Sequence, residues 1–481
     1  MNMLSFKSIC NANQTNLFMI EPFTGRKVTY QELDNCSGIL AARLLSRGIK
    51  PRDHVILRFD NRMEYSISHF ALLRVGAVAV IVSHAMPDDS LLGIAHEVNA
   101  SMILAYDDVP GSFAELQNRW LRVCFEDLIG NVHIDEYQHS SDELAAIVYT
   151  SGTTGKPKGV MITLAGAIAN FREYGSAQQF DSSSRMILSL PLDHADGWCF
   201  SVLLPFLFGS GVILLPPFSA KVAVQFDKLI LRDGGNIFIA VPSMMQAIFS
   251  MKFRYDPLVR NKLKSVLCSS AKLHPEFMQE FESFFGRCVY EFYGTTETLL
   301  ISYYAPGMAY KENSVGKLSP QVSVAFSEDG EMLVHSPFLF KGYYQDDRTK
   351  YVYDGTWYRT GDMASLDEDG YVFLQGRKEY MINKSGIKLD PNTIDRCLLQ
   401  VNHVADATTM GMDSHSHGEQ IISFVVLKEH VEKMAIYSRL RESLPTHLLP
   451  QHIHIVNHIP RTPIGKVDRK ALLEHVSQNW E

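Results

Sequence analysis

The chain keeps returning to short, largely apolar runs separated by stretches of helical spacing. "HVILRF" (54–59), "AVAVIVSH" (77–84), "LAAIVYT" (144–150) and "RMILSLP" (185–191) come first. "GVILLPP", "NIFIAVP" (236–242), "SVLCSS" (265–270) and "CVYEFYG" (288–294) follow. A strand that is apolar on both sides must be covered on both faces, and strands alternating with helices pair in parallel. "YQELDNCSGILAARLLSRG", closed by Gly48, and the segment 62–75 read as two of the covering helices. The expected fold is therefore α/β, with parallel sheets whose ligands gather at the carboxyl ends of the strands.

From about residue 314 the texture changes to short strands and turns, "EMLVHSP", "DGTWYRTGD" and "DEDGYVFLQG". A smaller α/β segment follows "GRKEYMINKSG". We expect a large N-terminal domain with a small β-subdomain over 1–376, a charged hinge at 377–379 and a smaller, mobile C-terminal α/β domain over 380–481.

With 481 residues, 46% of them apolar and 20% charged, the chain is globular and large enough for two domains. A net charge of -8 argues against a nucleic-acid surface, which needs concentrated Lys and Arg. Its 7 cysteines are odd in number, scattered and free of metal-type spacing, which predicts reduced core thiols. No basic region followed by a long apolar run opens the chain, so the expectation is a cytoplasmic protein without a leader. "GWCFSVLLPFLFGSGVILLPPFSA" (197–220) is uncharged over a membrane-spanning length. Pro205, the Gly209-Ser210-Gly211 turn and Pro216-Pro217 divide it into a buried helix and a buried strand, so no membrane span is expected.

"YTSGTTGKPKG" (149–159) follows the strand "LAAIVYT" and so lies at a ligand-binding strand end. It fails the usual phosphate-loop pattern, because only two residues separate Gly152 from Gly155 and Pro157 follows Lys156. Its glycines let backbone N–H groups approach a phosphate, and Ser151, Thr153 and Thr154 add hydroxyls. By itself such a cluster is as readily a plain turn.

Four further segments occur in order with it: "LPLDHADGW" (190–198), "YGTTE" (293–297), "YRTGDMASLDEDGYVFLQGRKEYMINKSG" (358–386) and "PRTPIGKVDRKAL" from Pro460. Together the five resemble the adenylate-forming superfamily: acyl- and aryl-CoA synthetases, luciferases and the adenylation domains of nonribosomal peptide synthetases. The resemblance spans nearly the whole chain. It implies an ATP- and Mg²⁺-dependent enzyme that joins a small carboxylic acid to AMP, releasing pyrophosphate, and passes the acyl group to a thiol. The implied acceptor is coenzyme A or the phosphopantetheine of a separate acyl or peptidyl carrier protein, since no carrier segment follows "LLEHVSQNWE". The alternative is a stand-alone amino-acid adenylation enzyme for peptide synthesis.

The resemblance also implies residue roles. Thr150, Ser151, Gly152, Thr153, Thr154, Gly155 and Lys158 would hold the ATP phosphates, with Thr153 also beside Mg²⁺. Glu297 would bind the metal, as a hard oxygen donor suits a hard cation. Read from its neighbours alone, Glu297 would instead cap a helix leading into "TLLISYY". Tyr293 would stack on adenine, with Gly294, Thr295, Thr296, Ser270 and Ala271 around the nucleotide. Asp362 would accept the ribose hydroxyls, and Arg377 would contact the ribose or phosphate. Glu379 falls at the hinge position, where the family commonly has Asp or Lys, and Gly386 on the segment that faces the thiol. Lys466 would bridge the carboxylate and the α-phosphate, where a mobile point charge meets the negative charge of the transition state.

His194 matches the histidine of the acyl-site motif. Asp193 stands before it where an aromatic residue is usual, and Ala195 after it disfavours an amino-acid substrate. Ser269-Ser270-Ala271 occupies the place of a common Gly-Gly-Ala, so two extra hydroxyls face the acid or narrow its pocket. "DSHSHGE" (413–419) reads as a surface turn rather than a metal site, and "QHIHIVNHIP" as a half-buried strand.

Overall fold

The computed structural model describes residues 5–110, 118–150, 157–271, 273–286, 288–384, 387–414, 418–461 and 467–478. It divides into two compact units, Met1–Ser323 with His335–Tyr353, and Val324–Val334 with Asp354–Glu481. The 377–379 turn lies within the second.

The first unit carries the apolar runs as strands in two sheets. Six strands run edge to edge as Trp120–Arg122, Met102–Ala105, His54–Arg58, Val78–Ile81, Leu144–Thr150 and Lys158–Thr163. All neighbours are parallel except the last pair. The second sheet has nine strands, and its centre is the parallel set Ser265–Cys268, Ile237–Ala240, Arg185–Leu188 and Gly211–Leu214. Each of these four except Arg185–Leu188 is buried at every residue, as strands covered on both faces must be.

Between strands the helices follow their sequence signals. Tyr30–Ser46 starts at a capping box formed by Thr29 and Glu32, and the chain turns away at Gly48, φ +85°. Met63–Val75 is buried at every position, including Ser66, Ser68 and His69, so it is an interior helix rather than a surface one. The uncharged stretch 197–220 is broken as expected. A helical segment ends at Leu207 and a strand, Gly211–Leu214, follows. Among the described residues no helix is long and apolar enough to cross a membrane. All seven cysteines are free.

The second unit holds an antiparallel sheet including Glu331–His335, Trp357–Leu366 and Val372–Arg377. Its other sheet is built on the long hairpin Val404–Ser414 and Gly418–Leu427. His452–Ile455 adds to that hairpin in parallel; Ile453 is buried, but Ile455 is exposed like His452, so the alternation that "HIHI" implies holds only in part. Helices Pro391–Leu399 and Lys433–Ser443 close a core of Ile394, Leu398, Ile421, Val425, Ile436 and Leu440. Residues 415–417 of "DSHSHGE" lie outside the described residues.

Candidate active site

Three of the motif segments lie in the first unit, and two of them meet there through Tyr343. Leu144–Thr150 and Lys158–Thr163 form an antiparallel pair in which Thr150 faces Lys158, so the glycine-rich segment leaves and re-enters the sheet at one point. Ser151, Gly152, Thr153, Thr154 and Gly155 lie outside the described residues. What is described is the base of that loop.

Segment 341–344 lies against the Lys158–Thr163 strand. Lys341 N–H donates to Met161 O at 2.8 Å, Met161 N–H to Gly342 O at 3.1 Å, and Tyr344 N–H to Gly159 O at 2.8 Å. This register sets Tyr343 beside Lys158, whose ammonium is 4.8 Å from the Tyr343 ring centroid. The Tyr343 hydroxyl donates to Glu297 Oε1 at 2.9 Å, and Phe340 N–H donates to Glu297 O at 2.9 Å. Lys158, Tyr343 and Glu297 are therefore one group, a cation and a carboxylate on either side of an aromatic ring.

Glu297 does not cap a helix. The strands Val289–Thr295 and Leu299–Tyr303 pair antiparallel, and 296–298 is the tip between them. The β-branched and aromatic residues of "TLLISYY" favour a strand, and Thr298 Oγ1 closes the turn by accepting from Thr295 N–H at 3.1 Å. Gly294 is obligatory here, since a Cβ would collide with the backbone of Leu299. Tyr293 is half-buried on the same strand.

The acyl-site motif forms a short helix, Ala195–Trp198, entered through His194 and continued by a π-helical turn, Cys199–Leu203. A Cβ at Gly197 would lie 2.7 Å from Leu192 Cα and nearer still to Pro191 O, so only glycine lets this helix pack on the preceding loop. Trp198 Nε1–H donates to His69 Nε2 at 3.1 Å, and burial lowers the His69 pKa to about 3, which keeps the ring neutral. Asp196 Oδ2 accepts from Ser269 Oγ at 3.1 Å and lies 3.5 Å from Ser270 Oγ. Ser269 and Ser270 follow the strand Ser265–Cys268, so they stand at a carboxyl end, as ligand-binding groups of such sheets do. Asp193 Oδ1 and the Tyr65 hydroxyl are both buried without a hydrogen-bond partner among the described residues.

In the second unit Asp362 and Arg377 come together. They face each other across the Trp357–Leu366 and Val372–Arg377 strands, with Arg377 Nε 2.8 Å from Asp362 Oδ1. Arg377 Nη1 also donates to Thr360 O at 2.9 Å. The adjoining turn is fixed by Lys378, whose ammonium reaches Asp329 at 3.0 Å and Glu331 at 2.9 Å. Those two carboxylates raise its pKa. Glu379 sits in this 3₁₀ turn, Lys378–Tyr380. Gly386 and Lys466 lie outside the described residues. The segment holding Lys466 is bracketed by an antiparallel bridge between Arg461 and Val467, and Arg461 Nη2 pairs with Asp406 at 2.7 Å.

Residues 8–344 match the sequence profile of the AMP-binding enzyme family, and residues 393–466 match its C-terminal domain. The chain belongs to the AMP-binding enzyme family. It is 27% identical over 481 residues to an oxalate–CoA ligase of Arabidopsis thaliana, covering 93% of each. It is 30% identical over 351 residues to a sulfoacetate–CoA ligase of Cupriavidus necator, covering 69% of this chain and 67% of the other. The fold is that of ATP-bound MatB from Rhodopseudomonas palustris, TM-score 0.91 at 22% identity over the full length of both. This member of the family is an adenylate-forming ligase of the acyl-CoA ligase type. Tyr343 carried no sequence signal, because its place beside Glu297 depends on pairing between segments far apart in the chain.

Proposed function

We propose that the protein activates an organic acid with ATP and transfers the acyl group to coenzyme A. The observation that carries this reading is the grouping of Lys158, Tyr343 and Glu297 at the base of the glycine-rich segment. It supplies a cation for phosphate oxygens and a fixed carboxylate for a metal. Glu297 fits Mg²⁺, which binds through one or two carboxylates plus substrate phosphates and keeps several waters. No group of three or more His, Cys, Asp or Glu side chains suited to another ion occurs among the described residues. When bound, Mg²⁺ would neutralise charge on the departing pyrophosphate.

The roles of the chain follow. Ser151, Thr153 and Thr154 with the loop backbone hold the β- and γ-phosphates, Tyr293 stacks on adenine, and Asp362 accepts the ribose hydroxyls. Arg377, 2.8 Å away, holds Asp362 in place. A carboxylate oxygen of the acid attacks the α-phosphorus, and the bond to pyrophosphate breaks. Lys466 lies across the two anions and meets the charge that builds between them. In the second step the thiol sulfur attacks the acyl carbon, the bond to AMP breaks and the thiol proton leaves to solvent. Glu379 is the hinge and Gly386 faces the thiol in that step. His194 lines the acid pocket.

Exchange of labelled pyrophosphate into ATP, across fatty, aryl, dicarboxylic and amino acids, tests the first step. Exchange that depends on one class of acid and disappears in Lys466→Ala is expected. Exchange undiminished in that variant removes the role given to Lys466. Exchange with amino acids alone assigns the chain to peptide synthesis instead. Thioester formation with coenzyme A is then measured against carrier proteins to fix the acceptor.

A further inference from the structure

Behind the acyl-site motif the interior is aromatic. Tyr174 lies 5.2 Å from Tyr303, 5.8 Å from Phe292 and 6.4 Å from Phe200, ring centroid to centroid, and Phe200 lies 5.7 Å from Phe292. The rings come from the helix Leu164–Ala177, the π-helical turn and the hairpin that carries Glu297. All four are at most 5% exposed. Rings at these spacings pack in contact and wall off the space an alkyl chain would need.

Asp196 lies close to Tyr174 and carries further polar groups. The Tyr174 hydroxyl is buried and has no hydrogen-bond partner among the described residues. Burial, then the nearby Cys199 and Asp196, push its pKa far above the ordinary phenol value, so it remains a donor. Ser269 and Ser270 bring their hydroxyls within 3.3 Å of each other beside that same Asp196. Ser270 holds φ at +70°, a conformation glycine adopts freely and serine only with strain. What serine gains there over glycine is the hydroxyl.

We propose that the acid this enzyme activates is short and carries a second hydrogen-bonding group close to its reacting carboxylate. Tyr174, Ser269 and Ser270 meet that group, and the wall of Phe200, Phe292 and Tyr303 excludes alkyl chains. The inference rests on His194 marking the acid pocket of an adenylate-forming ligase.

The test is pyrophosphate exchange with the full chain, comparing kcat/KM for diacids from oxalate to succinate, short hydroxy acids, small amino acids and straight-chain acids from butyrate to dodecanoate. The best short polar acid is expected to exceed its alkyl counterpart of equal length by about 100-fold or more, as a site built around hydrogen bonds rejects a partner that lacks them. Ser270→Gly, which relieves backbone strain and so folds, and Tyr174→Phe are each expected to cut that ratio about tenfold. Phe200→Ala is expected to admit longer alkyl acids. The diacid, hydroxy-acid and amino-acid arms identify the second group. Wild-type exchange with octanoate equal to that with any short polar acid overturns the proposal. An unchanged ratio in both Ser270→Gly and Tyr174→Phe also overturns it, with the ligase reading intact. No exchange with any acid sinks the ligase reading itself, and this inference with it.

Discussion

Tyr343→Phe removes one oxygen and leaves the ring, so it separates the two contacts that Tyr343 makes. The ring beside Lys158, with the ammonium 4.8 Å from its centroid, is retained. The hydrogen bond to Glu297 Oε1, 2.9 Å long and partly buried, is lost. A hydrogen bond to a charged group contributes about 1.5–3 kcal/mol, and partial solvent access argues for the lower end. About 1.5 kcal/mol corresponds to roughly a tenfold change in an equilibrium constant. If Glu297 is the carboxylate that holds Mg²⁺, this loss appears as a tenfold rise in the Mg²⁺ concentration needed for half-maximal pyrophosphate exchange. The maximal rate at saturating Mg²⁺ changes less, because the backbone bond from Phe340 still anchors the turn. Glu297→Gln should shift the Mg²⁺ requirement further, and adding Tyr343→Phe to it should do little more. Fully additive effects, or an unchanged Mg²⁺ requirement in Tyr343→Phe, would refute a role for Tyr343 through Glu297.

Arg377→Ala leaves Asp362, 6% exposed, without the guanidinium 2.8 Å away. A loss of about 2 kcal/mol in urea unfolding is expected, below the 3–5 kcal/mol of fully buried pairs because Arg377 is partly exposed. The KM for ATP should rise with it, and an unaltered KM would separate the pair from nucleotide binding. His69, buried and neutral with a pKa near 3 against 6.5 unfolded, makes the unfolded state the better proton binder between those values. Its contribution is fully present above pH 6.5 and shrinks as pH falls toward 3, with a slope of up to about 1.4 kcal/mol per pH unit. His69→Gln should flatten that part of the urea-midpoint profile, and an unchanged acid limb would contradict the assignment. Gly197→Ala forces a methyl against the backbone of Pro191 and Leu192, so a loss of about 3 kcal/mol or more is expected in thermal or urea melts. A variant as stable as the parent would show that the motif helix shifts freely.

Strand and helix order, the break in the uncharged stretch 197–220 and the ordered motifs were legible in the sequence, because burial on two faces and phosphate chemistry each demand particular residues at particular spacings. The alternation that ends in Leu144–Thr150 also places the glycine-rich segment at a strand's carboxyl end, since parallel strands gather ligands there. By resemblance Glu297 was expected to bind the metal, while its own neighbours suggested a helix cap. Hydrogen bonding between Val289–Thr295 and Leu299–Tyr303 decided for a hairpin. Tyr343, 46 residues beyond Glu297, and Tyr174, 16 residues before the motif it backs, carried no local signal. The meeting of Asp362 with Arg377 likewise depends on strand register. Residue type and spacing determine which groups a chain offers to a substrate. Which of them face one another is decided by long-range pairing and packing, whose free energy exists only once the sheets have formed.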